Sequence, residues 1–262
     1  MRVKLFPNAH DDSLFIMDIL KKILLREGID IVDSEFDVGI AIGGDGAFLH
    51  MVNVADFPEG VKFIGINNGT LGFLQEIKPT DLTRFVELLK NDKLQSEYIS
   101  FEEICIKGNN EELHLNALNE VVVRDINLKT MYMDVFIDGK LLENYVGDGL
   151  MISTPIGSTA YNLSGYGAII YNGLHTLQIT PLAPINNNIY RTLINSVVIP
   201  EDNLIKLYPV HRTNGVVVIV DGINYRIESL DCIEIKISPR RLECLRMEEY
   251  NYTDIINEKF LK

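Results

Sequence analysis

The sequence predicts a two-domain chain: an α/β N-terminal domain with a parallel sheet, then a β-rich antiparallel C-terminal domain. Three observations carry that expectation. Up to about residue 95, apolar runs of strand length alternate with stretches whose apolar residues recur at helical spacing, the pattern of parallel strands with helices on the sheet faces. Beyond it, short strand-like runs follow one another. Asp138-Gly139, Asn214-Gly215 and Asp221-Gly222 stand between several of these runs, and such dipeptides accept the positive φ angles of a tight hairpin. The expected domains are 1–98 and 99–249, with a terminal segment at 250–262 that docks back on the first.

Taken in order, residues 3–6 form a short strand. Ile16, Ile19, Leu20, Ile23 and Leu24 then share one helix face. Asp11, Asp12 or Ser13 is the expected N-cap of that helix, and Gly28 the residue that ends it. Residues 37–42 are a buried strand running into Gly43-Gly44-Asp45-Gly46, and 47–54 are helical. Residues 63–66 form a further strand, and Leu82, Phe85, Val86 and Leu89 mark another amphipathic helix. The β-rich part reads as strands at 98–107, 113–118, 121–124, 131–137, 150–153, 216–220, 225–227 and 233–237, and 253–260 closes the chain as a helix.

With 262 residues and 47% hydrophobic content, the chain can build substantial cores. Its longest apolar runs are strand-sized, far short of the roughly 20 residues that span a bilayer. The start, Met1-Arg2-Val3-Lys4-Leu5-Phe6-Pro7, has no apolar core of a signal peptide, so a cytoplasmic location is expected. A net charge of −13 argues against nucleic acid or anionic membranes as partners. It also means that any phosphate site needs local help from loop amides, helix N-termini, a few basic side chains or a divalent cation. Cys105, Cys232 and Cys244 form no C-x-x-C pair, which leaves buried free thiols as the expectation.

Two glycine-rich blocks carry the chemistry. Gly43-Gly44-Asp45-Gly46 lies at the C-terminal end of a parallel strand, where open α/β sheets bind ligands. Its glycines bring amides close to phosphate oxygens, and Asp45 is suited to hold a metal ion or to accept a proton from an attacking hydroxyl. The second block is Gly147-Asp148-Gly149, followed by Thr154-Pro155-Ile156-Gly157-Ser158-Thr159-Ala160-Tyr161 and then Ser164. Its hydroxyls sit near an expected helix start, where free amides also point outward. Between the blocks, Asn119-Glu120 offers an amide that reads donor and acceptor together and a carboxylate for ribose hydroxyls. No Walker loop, no G-x-G-x-x-G after the first strand, no H-E-x-x-H and no G-x-S-x-G occurs.

At these residues the sequence resembles the NAD kinase family. The family motifs G-G-D-G-T, N-x-G-x-L-G-F-L, N-E and G-D-G-x-x-x-x-T-P-[TS]-G-S-T-A-Y stand here in order, at 43–47, 67–74, 119–120 and 147–161. The match runs on through Pro184-Ile185-Asn186-Asn187 with Arg191 to Asp221-Gly222. Two positions depart from the pattern: Ala47 replaces a threonine and Ile156 a threonine or serine.

The resemblance implies a phosphotransferase that moves the γ-phosphoryl of ATP, or of polyphosphate, onto the 2′-hydroxyl of the adenosine ribose of NAD. It implies Mg²⁺ or Mn²⁺ and a homodimer or homotetramer. Asp45 would be the general base, and Gly43, Gly44 and Gly46 the phosphate loop, with Gly46 also among the residues that bind NAD. Asn119 and Glu120 would hold adenosine. Asp148 and the backbone near Ala160 would meet the nicotinamide end. Thr159, Tyr161 and Ser164 would line the adenine and ribose pockets, with Phe73 packed on adenine. Ser158, Asn187 and Asp221 complete the implied set. A lipid or sugar kinase sharing only the G-G-D-G loop is one alternative reading; a non-catalytic NAD(P) sensor is the other.

Overall fold

The run Val38-Gly39-Ile40-Ala41-Ile42 is buried at every position, as a strand flanked on both edges and covered on both faces must be. The structure is a computed structural model, and it describes all residues except 70, 71, 109, 110, 211 and 214. The chain divides into two units, one made of Met1–Ile99 with Arg241–Lys262, the other of Ser100–Arg240.

The first unit runs β1 (Arg2–Pro7), α1 (Asp11–Arg26), β2 (Asp30–Ile31), β3 (Val38–Ile42), α2 (Asp45–Ala55), β4 (Lys62–Ile66), α3 (Leu82–Lys90) and β5 (Gln95–Ile99). Its sheet has the order β2-β1-β3-β4, then the late strand Leu242–Arg246, then β5. All neighbours are parallel except β5, which runs antiparallel to Leu242–Arg246. Ile16, Leu20 and Leu24 of α1 and Leu82, Phe85, Val86 and Leu89 of α3 join Ile40, Ile42, Ile64 and Ile66 in one core. The helical spacing seen in the sequence is therefore the buried stripe.

Several expectations differ in detail. His10, not Asp11, Asp12 or Ser13, is the N-cap of α1, and its side chain makes no capping bond; the two aspartates lie inside the first turn, where negative charge suits the helix dipole. Helix α2 begins at Asp45 because the Ala47 amide already bonds the Gly44 carbonyl at 2.8 Å. The run read as one strand at 98–107 is two, since β5 ends at Ile99 and the next strand starts at Glu102 in another sheet. Glu102 is fully buried, so the inward phase of the alternation shifts there on a residue type that reads as outward. The strand Leu242–Arg246 lies in the first unit, although a boundary at 249 assigns it to the second. Its apolar pattern marks a strand without saying which sheet it joins.

The second unit contains β6 (Glu102–Gly108), β7 (Glu111–Ala117), β8 (Glu120–Asp125), β9 (Met131–Ile137), β10 (Lys140–Gly147), β11 (Gly149–Ser153), the short helix α4 (Tyr161–Ser164), β12 (Thr176–Leu182), β13 (Val197–Pro200), β14 (Ile205–Pro209), β15 (Val216–Val220), β16 (Ile223–Ile227) and β17 (Cys232–Ile237). They form two six-stranded sheets, β10-β9-β14-β17-β6-β7 and β13-β12-β11-β8-β15-β16. All their pairings are antiparallel. Ile104, Met133, Val135 and Ile233 of one sheet share a core with Val121, Val123, Ile152 and Val218 of the other, which makes the unit a sandwich. Strands β10, β12, β13 and β14 escape the sequence reading. A bulge at Leu141/Glu143 breaks the alternation of β10, and Pro181, Pro200 and Pro209 give the others a loop-like composition. Asp138-Gly139 and Asp221-Gly222 take positive φ between paired strands, as hairpins require. Asn214 of the third predicted turn lies outside the described residues.

Among the described residues, no helix is long and apolar enough to cross a membrane. Cys232 and Cys244 are buried free thiols, whereas Cys105 is only half-buried.

A buried polar cluster fixes the end of the first unit. Arg246, 3% exposed, pairs with Glu97 at 2.7 Å and lies 4.1 Å from the centre of the Tyr250 ring. Beside it, burial pushes the Glu76 carboxyl up to about 7, against the pull of Arg246 and of a hydrogen bond from the Met247 amide. A carboxyl raised in this way contributes stability that is whole below its unfolded value of 4.5 and is lost as pH climbs through about 7. Glu76→Gln is expected to flatten the fall of Tm across that window, a result that scanning calorimetry at several pH values checks. An unchanged slope contradicts the assignment.

Candidate functional site

The phosphate turn belongs to the first unit. Strand β3 delivers the chain into Gly43, whose amide bonds the Ile66 carbonyl of β4 at 2.9 Å, and Gly44 is the N-cap of α2. Asp45 and Gly46 open the first turn of α2, where backbone amides have no intrahelical acceptor, whereas the Ala47 amide already bonds the Gly44 carbonyl. A side chain at Gly44 or Gly46 would meet nothing within 4 Å, so this rim is open to a ligand. Both carboxylate oxygens of Asp45 are held. Oδ1 accepts from the Leu74 amide at 3.0 Å, and Oδ2 lies 3.3 Å from the Lys259 ammonium. The Asp45 side chain still keeps 35% of its exposure. Gln75 braces the turn by donating from Nε2 to the Gly44 carbonyl at 2.6 Å.

The segment 67–74 covers this turn, with residues 70 and 71 outside the described ones. Asn67 is buried and accepts from the Gly69 amide at 3.1 Å. Gly72 permits the crossing, because a Cβ there would sit 2.6 Å from Oδ1 of Asp45. Phe73 is 8% exposed, and its ring lies 5.9 Å from Tyr252 and 5.7 Å from Phe260 of the C-terminal helix Tyr252–Phe260.

In the second unit, Asn119-Glu120 opens β8. The Asp221 carboxylate clamps this turn by accepting from the amides of Leu118 at 2.7 Å, Asn119 at 2.8 Å and Glu120 at 3.3 Å. Glu120 is 8% exposed, and its buried Oε2 has no protein partner. Burial, with the Asp221 charge beside it, pushes its carboxyl up to about 8, while a hydrogen bond from the Tyr161 amide pulls the other way. The result is a buried carboxyl with one oxygen to spare for a ligand hydroxyl. Fully buried Glu102 is raised well above the usual carboxylate range by burial and by the neighbouring Asp221 and Glu120.

The block from Thr154 onward is joined to the same turn. The Thr154 amide bonds the Asn119 carbonyl at 3.0 Å, and its hydroxyl donates to the Leu118 carbonyl at 2.7 Å. Gly157 is needed where the segment crosses Asn119, whose carbonyl a Cβ would strike. Ser158 is buried, donating to the Pro155 carbonyl at 2.6 Å and accepting from the Ile170 amide at 2.9 Å. Thr159 bonds the Ile156 carbonyl at 3.3 Å, and Ile156 is 6% exposed. Ala160 leads into α4, which presents Tyr161 and Ser164 to solvent. Asp148 and Ser164 line a cavity of about 510 Å³ with Arg124, Tyr166 and Asn195. Arg124 donates to the Tyr161 hydroxyl at 2.8 Å and keeps a buried Nε without a protein partner. Asn187 sits apart from that cavity in an exposed turn, accepting from the amides of Ile189 and Tyr190 at 2.8 and 2.9 Å.

The structure thus gathers Gly43, Gly44, Asp45, Gly46 and Phe73 in one unit. In the other it gathers Asn119, Glu120, Thr159, Ala160, Tyr161 and Asp221, with Asp148 and Ser164 on a cavity that Arg124 also lines. The sequence reading missed Gln75, Lys259, Glu102 and Arg124. Gln75 directly follows the 67–74 motif and was within reach; Lys259 stands 214 positions from Asp45 with no local signal.

Among the described residues, the metal-type donors that converge are Cys105, Glu112 and His114, within 4.8 Å of one another on β6 and β7. Among the described residues, Asp45 belongs to no such set.

Comparisons with known proteins cover nearly the whole chain. The ATP-NAD kinase N-terminal domain model matches residues 7–94 and the ATP-NAD kinase C-terminal domain model residues 118–247. The chain is 36% identical to an NAD kinase of Finegoldia magna, over 99% of this chain and 97% of that one. It is 33% identical to an NAD kinase of Latilactobacillus sakei, over 100% and 98%. Among solved structures, its fold is similar to yeast NADH kinase complexed with NADH, with a TM-score of 0.86 at 19% identity over 98% of this chain and 86% of that one. It is also similar to an NAD kinase from Archaeoglobus fulgidus in complex with ATP, with a TM-score of 0.77 at 19% identity and 98% of each chain covered.

Proposed function

The chain belongs to the NAD kinase family, and from that premise we propose that it moves the γ-phosphoryl group of ATP onto the 2′-hydroxyl of the adenosine ribose of NAD, giving NADP. The observation that carries the mechanism is the Asp45 carboxylate, fixed through both oxygens at the start of α2 yet still partly exposed. Asp45 takes the proton of the 2′-hydroxyl as that oxygen bonds to the γ-phosphorus. The bond from phosphorus to the bridging oxygen breaks, and its electron pair leaves on ADP. Such a transfer asks mainly for positioning and charge stabilisation. The open amide rim at Gly44 and Gly46, with the N-terminus of α2, supplies donors for phosphate oxygens. A divalent cation bound to the triphosphate would neutralise charge on its oxygens.

Glu120 accepts from ribose hydroxyls, and Asn119 reads the base. Asp148 and the Ala160 backbone serve the nicotinamide end, and Thr159, Tyr161 and Ser164 line the adenosine pockets. Phe73 serves adenine only if its buried ring gives up some of its packing on Tyr252 and Phe260. Ser158 and Asn187 hold their own segments through the bonds described above, and Asp221 holds the turn at 118–120 that carries Asn119 and Glu120. The family resemblance supports a cytoplasmic homodimer or homotetramer that uses Mg²⁺ or Mn²⁺. No observation favours a lipid or sugar acceptor or a sensor.

The test is to incubate purified chain with ATP and Mg²⁺ and offer NAD, a diacylglycerol or fructose 6-phosphate. NADP formation with NAD alone is expected. Product only with the lipid or sugar overturns the reading, as does tight NAD binding without turnover.

A further inference from the structure

We propose that Lys259 is a positioning residue for phosphoryl transfer, and that the C-terminal helix Tyr252–Phe260 is thereby a working part of the site. The inference rests on the reading of Asp45 as the proton acceptor. The Lys259 ammonium lies 3.3 Å from Oδ2 of Asp45, while the Leu74 amide holds Oδ1 at 3.0 Å. Two donors on the two oxygens stop the carboxylate from turning, so its lone pairs keep one direction. The pair is partly desolvated, the lysine side chain being 23% exposed and the aspartate 35%, and their attraction is screened less than that of a surface pair.

The helix is built to deliver this one charge. Asn251 caps it, accepting from the Thr253 amide at 2.9 Å. Tyr252, Ile255, Lys259 and Phe260 recur at the spacing of a single helix face. Tyr252 and Phe260 pack on Phe73, and the ammonium itself stands 4.9 Å from the centre of the Phe73 ring. Lys259 also lies in the last turn, where the helix dipole favours positive charge. In a chain of net charge −13, an ammonium on Asp45 offsets the repulsion between that carboxylate and an approaching triphosphate. Lys259 thus fixes the acceptor and lowers the electrostatic cost of placing it near phosphate.

The experiment compares NADP formation by wild type, K259M, K259R and K259A in the full chain. K259M keeps the aliphatic stem and removes the charge. Its kcat is expected to fall about ten- to a hundredfold, with the KM for NAD within about threefold of wild type. K259R is expected to recover most of the loss, and added ethylammonium to restore part of the K259A rate, neither of which a purely structural role would produce. Should K259M fold poorly, the arginine and amine arms still decide. A K259M kcat within about twofold of an active wild type overturns the proposal alone. A K259A loss that neither arginine at this position nor added amine relieves overturns it too. A wild type that makes no NADP overturns the functional reading and this inference with it.

Discussion

Asp45→Asn is expected to lower kcat for NADP formation by about a thousandfold while leaving the KM for NAD within about threefold. The substitution preserves shape. The amide oxygen of asparagine can still accept from the Leu74 amide that bonds Oδ1 at 3.0 Å, so the start of α2 and the covering segment stay in place. Two things are lost together. The side chain no longer accepts a proton at neutral pH, and its NH₂ now faces the Lys259 ammonium, donor against donor. The effect should therefore fall on the chemical step and spare binding, since all the groups assigned to NAD except Phe73 and Gly46 belong to the second unit. Steady-state kinetics with NAD varied at saturating ATP separates the two parameters. A kcat within about tenfold of wild type removes Asp45 from the role of base.

Glu120→Gln is expected to raise the KM and Kd for NAD about ten- to a hundredfold, with a smaller change in kcat. Hydrogen bonds to charged groups contribute about 1.5–3 kcal/mol, and each 1.4 kcal/mol is about tenfold in affinity. The Glu120 carboxyl is buried, its Oε2 has no protein partner, and burial next to Asp221 pushes it up to about 8. Ribose hydroxyls donate best to the ionised form. Below about pH 8 binding must first expel the proton, so NAD affinity should rise with pH and level off above that value. Glutamine cannot titrate, and its affinity should be flat over the same range. Calorimetric titrations from about pH 6.5 to 9 check both points. Parallel curves for wild type and variant contradict the assignment.

Much of this was legible in the residues because it rests on local rules. The alternation of apolar runs with helix-spaced residues set out the parallel sheet, and Asp-Gly turns set out two hairpins of the sandwich. The turn at 43–46 was legible as a tight turn at the end of a buried strand, because glycine and aspartate follow an apolar run there. What stayed hidden depends on chain return. Leu242–Arg246 looks like any half-apolar strand, and only its pairing with β4 and β5 places it in the first sheet. Lys259 is one charge on a short amphipathic helix until that helix packs on Phe73. Glu102 reads as an outward residue, and its burial beside Glu120 and Asp221 is set by tertiary structure alone. Asp221 was legible as a hairpin residue, but its three hydrogen bonds reach the turn at 118–120, about a hundred positions away in the chain.

The central claim is that this chain places a phosphoryl group on one particular hydroxyl of NAD. Nuclear magnetic resonance of the purified product made from NAD and ATP tests it most directly. The account predicts a single monophosphate ester whose phosphorus couples to the proton on the 2′ carbon of the adenosine ribose. Phosphate on the 3′ carbon, on the nicotinamide ribose, or on no part of the dinucleotide would contradict it.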